Sequence, residues 1–203
     1  MVGKSTVIAS IHPELRHSAE QERTTSKARL RQRRGELLSD LAARLLAGQD
    51  LDREVMPALF RALAEERMVD ATLGYIVTDM NEGMKLGFME GFDRAMIQRC
   101  LTLDFGQAIC GTVAATRKAM HVTDIQKTFD PMADLVRSAG INAYACEPLI
   151  VDDRLLGTLS FASRERRRFE PDDLSFFRTV AKHVALARDR ARRTADKCTG
   201  EPS

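Results

Sequence analysis

The run Ile141-Asn142-Ala143-Tyr144-Ala145-Cys146-Glu147-Pro148-Leu149-Ile150-Val151 is followed by Asp152-Asp153. Arg154-Leu155-Leu156-Gly157-Thr158-Leu159-Ser160-Phe161-Ala162-Ser163 comes next. Two apolar runs joined by two turn-forming acidic residues make an antiparallel hairpin. Side chains alternate faces along a strand. Tyr144, Cys146 and Ile150 therefore share one face of the first run, and Leu155, Gly157, Leu159 and Phe161 share one face of the second. Upstream, residues 71–78 are β-branched and aromatic, residues 79–83 read as a turn, and residues 84–91 return as a second hairpin. Met120-His121-Val122 supplies a further short strand.

The segments around these strands follow a helical period. In residues 30–46, Leu37, Leu38, Leu41, Leu45 and Leu46 recur at spacings of three and four, and Gly48 ends the pattern. Residues 51–67 carry the stripe Val55, Leu59, Phe60 and Leu63, with Asp50 or Asp52 as the cap and Pro57 near the start. Shorter helices are expected over 92–100, 107–117 and 131–138. Asp130 caps the last of these and Gly140 ends it. Pro171 opens a final helix to about Ala195, with Phe177, Val180, Val184, Ala187 and Ala191 spaced 3-4-3-4. The fold class is α+β: an antiparallel sheet of five to six strands, long terminal helices on one face and short helices over the other. Residues 1–29 read as a flexible lead-in, 30–195 as the domain and 196–203 as a polar tail.

Composition narrows the function. The 203 residues are 44% hydrophobic, enough for a real core, but only 5% aromatic with no Trp. A net charge of +2 gives no global pull toward nucleic acid or an anionic membrane. No apolar run reaches the ~20 residues of a membrane span, and no signal peptide is visible. Four unevenly spaced cysteines, Cys100, Cys110, Cys146 and Cys198, fit reduced thiols in a cytoplasmic protein. Cys and His spacing nowhere forms a metal site, and no cofactor is required. Gly3-Lys4-Ser5-Thr6 imitates the end of a phosphate-binding loop but lacks the preceding Gly and strand. The run Arg164, Arg166, Arg167 and Arg168 reads as a solvated loop.

The segments Gly106-Gln107-Ala108-Ile109-Cys110-Gly111-Thr112-Val113-Ala114, His121-Val122-Thr123-Asp124-Ile125, Tyr144-Ala145-Cys146-Glu147-Pro148-Leu149 and the second hairpin strand resemble a GAF domain. They look most like the GAF modules of bacterial sensor histidine kinases. The resemblance covers residues 30–193 and implies a small-molecule pocket on the sheet face opposite the terminal helices. Tyr75, Tyr144, Cys146 and Phe161 are candidates for its apolar wall and Asp124 for its mouth. Cys110 and His121 are further ligand-contacting candidates, although free thiols and lone histidines are commonly structural.

Three functions follow as expectations. The first is a non-enzymatic sensory module of bacterial signal transduction. It binds an unknown small molecule and signals through its terminal helices to a histidine kinase or another signalling protein, since only a short tail follows Arg193. The second is a thiol-based reductase of free methionine sulfoxide, or a redox sensor, using Cys110 and Cys146. The expected catalytic Cys is missing from Phe129-Asp130-Pro131-Met132-Ala133-Asp134. The third is a ligand-free dimerisation scaffold. For the dimer, Leu37, Leu41 and Leu45 pair with Phe177, Val180 and Val184, and a seam extended to Ala187 and Ala191 joins two chains.

Overall fold

The structure, a computed structural model, describes residues 13–78 and 83–199. The phosphate-loop-like residues 3–6, and the turn expected at 79–83 apart from Gly83, lie outside them. The chain divides into two units with the boundary between Ser39 and Asp40.

Helix α1 (Pro13–Leu46) supplies the described part of the first unit and continues into the second. It begins 17 residues before the expected start at Leu30. The segment lacks an apolar stripe but is rich in Glu, Gln, Arg, Lys and Ala, all good helix formers without one. Local pairs support it: Gln32 Nε2 donates to Glu36 Oε1 at 3.1 Å, and Arg33 pairs with Glu36 at 3.2 Å.

The second unit is built on one antiparallel sheet. Its strands are β1 (Ala71–Val77), β2 (Met84–Glu90), β3 (Thr102–Leu103), β4 (Met120–Val122), β5 (Ala143–Val151) and β6 (Arg154–Ser163). Their spatial order is β3-β2-β1-β6-β5-β4. The two-residue edge strand β3 is too short to show a period in sequence. Asp50 caps a wide turn over Leu51–Val55, accepting from the amides of Asp52 and Arg53 at 3.0 and 2.9 Å. α2 (Met56–Glu65) follows with Pro57 in its first turn, where a missing N–H costs nothing. The connections contribute α3 (Arg94–Arg99), α4 (Ala108–Thr116) and α5 (Asp134–Ser138). Asp130 bonds the Met132 amide at 2.9 Å to start the turn leading into α5.

α6 (Pro171–Thr199) lies on one face of the sheet. Phe177 stacks on Phe161 of β6 with ring centroids 4.1 Å apart, and Phe169 meets the same ring edge-on at 5.0 Å. Val180 and Val184 are fully buried beside it. Of the expected seam residues, Phe177, Val180 and Val184 pack on their own sheet. Leu37 and Leu41 are buried, Leu45 and Ala187 are half-buried, and Ala191 is exposed.

A bulge decides which residues share a face. The tight turn at Asp152-Asp153, both residues with positive φ, pairs Val151 with Arg154 and Ile150 with Leu155. The next pair is Leu149 with Gly157, so Leu156 has no partner. One extra residue reverses the alternation beyond it. Leu155 joins the core cluster on the face away from α6, whereas Phe161 contacts α6. Gly157 has φ +155°, and a Cβ there would lie 1.9 Å from the Tyr75 carbonyl oxygen. A Gly157→Ala variant should therefore lose about 3 kcal/mol or more from strain and overlap, measured by urea unfolding.

Candidate functional site

Opposite α6, the sheet carries an apolar cavity of about 20 Å³, room for roughly one water. Its floor is sheet and α4: Leu73, Tyr75, Tyr144 and Cys110. Its roof comes from short connections and includes Phe92, Met96, Met132 and Leu135. None of the described residues lining it is Lys, Arg, His, Asp or Glu. An unpaired charge placed here would cost several kcal/mol in lost hydration.

The polar groups of the floor are already paired. Tyr75 donates its hydroxyl to the Cys100 carbonyl at 2.9 Å. Cys110 Sγ lies 3.1 Å from the Tyr144 hydroxyl and 3.3 Å from the Ser160 hydroxyl. α4 holds Cys110 there because Gly111, the next residue, lets the helix seat against the loop before it. A Cβ on Gly111 would come within 2.3 Å of the Asp104 carbonyl oxygen. The hydrogen bond from Cys146 is the main influence pulling the Cys110 thiol down to about 7. Burial opposes it, and the bonds from Ser160 and Tyr144 lower it further. Cys146 moves well above the ordinary thiol value, first through burial and then as donor to Cys110. Burial likewise raises both tyrosines. Cys110 is thereby the more acidic of the two buried thiols, ringed by donors and with no cation beside it among these partners.

The structure brings together Tyr75, Cys110, Tyr144 and Cys146 of the expected ligand residues. It does not bring His121, Asp124 or Phe161 to them. His121 pairs across the strands with Ala145, on the α6 face. Its Nε2 lies 3.1 Å from the buried Glu147 carboxylate, which Arg178 of α6 approaches at 3.8 Å. Asp124 is bound by Arg167 Nε at 2.5 Å, and that hydrogen bond lowers its carboxyl. Phe161 is turned to α6 by the bulge. Ser160 was missed for the same reason: without the bulge Cys146 would oppose Leu159, and with it Cys146 opposes Ser160. Gly157 inside a strand was the available signal. The roof methionines carried no period that sets them apart from core.

The arginine run is paired as well as solvated. Arg164 bonds Asp70 at 2.8 Å, Arg166 bonds the buried Asp173 at 3.1 Å, and Arg168 bonds Glu170 at 3.0 Å. Among the described residues no cluster of metal-ligating side chains occurs, and no helix is long and apolar enough to cross a membrane.

The model of the GAF domain family matches residues 52–189, which takes in the sheet, the cavity and most of α6. The chain belongs to the GAF domain family. A small-ligand-binding regulatory domain is the general reading that membership supports. No curated protein matches the sequence. Among solved structures, the GAF domain of a phosphoenolpyruvate-protein phosphotransferase from Coxiella burnetii is 21% identical with a TM-score of 0.68. That match covers 81% of this chain and 97% of the other. The free methionine-R-sulfoxide reductase of Neisseria meningitidis, in complex with its substrate, is 20% identical with a TM-score of 0.64, covering 79% and 91%. The GAF/HD domain protein of Geobacter sulfurreducens is 17% identical with a TM-score of 0.57, covering 76% and 97%. At these identities the likeness is one of fold.

The placement of Cys110, Phe161 and His121 gives three expected outcomes. The Cys110 thiol sits below its unfolded value of 9.0, so its ionisation adds stability above pH 9 that is lost as pH falls through about 7. Unfolding free energy should rise between pH 7 and 9 in the wild type and stay flatter in Cys110→Ser, read by urea titration across that range. Phe161→Ala should cost about 3–5 kcal/mol as a core truncation. His121→Gln, half in water on the α6 face, should leave near-wild-type stability in the same assay.

Proposed function

We propose that this GAF protein is a non-catalytic sensory module, working in the cytoplasm. It binds a small ligand in the roofed cavity and passes the change through α6 to a partner. The observation that carries this reading is the placement of the apolar cavity, floored in part by Tyr144 of β5, and the α6 helix on opposite faces of that strand. A ligand can signal only by binding one arrangement of the roof and sheet better than another. Two roof helices of six and five residues suit such a rearrangement, because helices that short have little stability of their own. A histidine kinase or another signalling protein is the partner class proposed. Pairing of two copies is assigned to the far end of α6, where Ala191 is exposed.

The thiol-reductase reading draws less support. Free methionine sulfoxide is a zwitterion, and no charged side chain among the described residues lines this cavity to pair with it. Cys146 is buried and donates to Cys110, and residues 129–134 contain no Cys.

Native mass spectrometry of freshly purified protein, beside a denatured sample, tests the sensory reading without assuming a ligand. Extra non-covalent mass is expected, with the dimer visible in the same spectrum. A clean apo mass, together with unchanged partner activity after bulky replacement of roof residues, would remove the reading.

A further inference from the structure

We infer that the ligand of this cavity is a small, uncharged, mainly apolar molecule, admitted by displacement of the Met96, Met132 and Phe92 side chains. The inference deepens the sensory reading and rests on it. No formally charged side chain among the described residues lines the cavity, so a carboxylate, phosphate or ammonium entering it would give up water and find no countercharge. The polar atoms present form a matched set. The Tyr75 hydroxyl is spent on the Cys100 carbonyl, and the Tyr144 and Ser160 hydroxyls lie against Cys110. A ligand therefore gains one polar handle at most, the Cys110 corner, and must recover the rest of its binding energy from apolar contact.

The cavity volume requires the roof to move. About 20 Å³ accommodates nothing larger than a water or a diatomic molecule. Phe92, Met132 and Leu135 are only half-buried, so their displacement opens a route to solvent without disturbing the sheet. Methionine is unbranched and fills irregular space with little penalty, so the same side chains can repack around a guest. The roof is also anchored away from the cavity. Arg164 bonds the Gly91 carbonyl at 2.8 Å and the Ala139 carbonyl at 3.1 Å, while stacking over the Phe92 ring at 5.6 Å. Arg99 of α3 also donates to Ser138 Oγ of α5 at 3.3 Å, so polar contacts hold the outer rim of the roof while Met96 and Met132 meet the cavity through packing alone.

Indole and indole-3-acetate are the probes, because they differ by one carboxylate. With the full chain, indole at about fivefold over its Kd should raise the melting temperature by roughly 2–4 °C. Methionine methyl NMR should show shifts at Met96 and Met132. Indole-3-acetate should do neither. Met132→Glu, a substitution at a half-buried mouth position, should abolish the indole effect. Leu186→Ser, on the exposed side of α6, should keep it. Stabilisation by indole-3-acetate equal to that by indole would overturn the inference, as would an indole effect that leaves those methyl signals in place. No indole effect beside a charged metabolite seen by native mass spectrometry would overturn the ligand class and keep the sensory reading. No indole effect and no bound mass at all would remove both.

Discussion

The Tyr75 carbonyl oxygen occupies the space that a side chain at position 157 would need. That contact admits only glycine three residues into β6, directly after the bulge at Leu156, and it fixes that bulge. Everything beyond Gly157 on β6 takes its face from that bulge. Ser160 turns toward Cys110 and Cys146, and Phe161 turns toward Phe177. The Ser160 contact to Cys110 and the aromatic seat of α6 are therefore consequences of a single backbone approach. A strand without the extra residue would exchange the two sets, burying Phe161 under the roof and presenting Ser160 to an apolar helix.

Much of the fold was legible because its signals are local. The hairpins read from β-branched runs and turn residues, the Asp50 and Asp130 caps from short polar side chains before helical segments, and α6 from its apolar spacing. The early part of α1 was not legible, since its helix rests on propensity and paired charges instead of an apolar stripe. The candidate site was legible by half. Tyr75, Cys110, Tyr144 and Cys146 lie before the bulge or on α4, where alternation and helical period hold. Phe161 lies beyond it, and His121 takes its face from pairing with Ala145, a register that no local signal sets. The α6 residues Phe177, Val180 and Val184 show a further ambiguity. A 3-4 spacing states that a helix has an apolar side, but not whether sheet or partner covers it.

Charge organises the same helix at three levels. Asp173 near its start takes Arg166, Arg178 approaches Glu147 of β5, and Asp189 takes Arg154 of β6 and Arg193 of its own helix. All three carboxylates are buried. Removing one guanidinium partner leaves a carboxylate away from water, which costs more than the pair itself contributes. These pairs set the register of α6 along the sheet more than they add to its stability, and the Phe161–Phe177 stack supplies the apolar contact between them. The nearly neutral total charge conceals this arrangement, because acids and bases far apart in sequence cancel in the sum while meeting in space.

Cys146 and Glu147 are neighbours in the chain, and they face opposite compartments. The sulfur hydrogen-bonds Cys110, which lines the cavity, and the carboxylate belongs to the contacts with His121 and Arg178. Their Cα atoms are held about 3.8 Å apart by a planar peptide. A guest that pushes on the floor cannot displace one without carrying the other. The strand acts as a yoke between a space too small to be seen from outside and a helix of 29 residues, about 44 Å long. A movement of β5 beneath the cavity would thus reach the contacts that seat that helix.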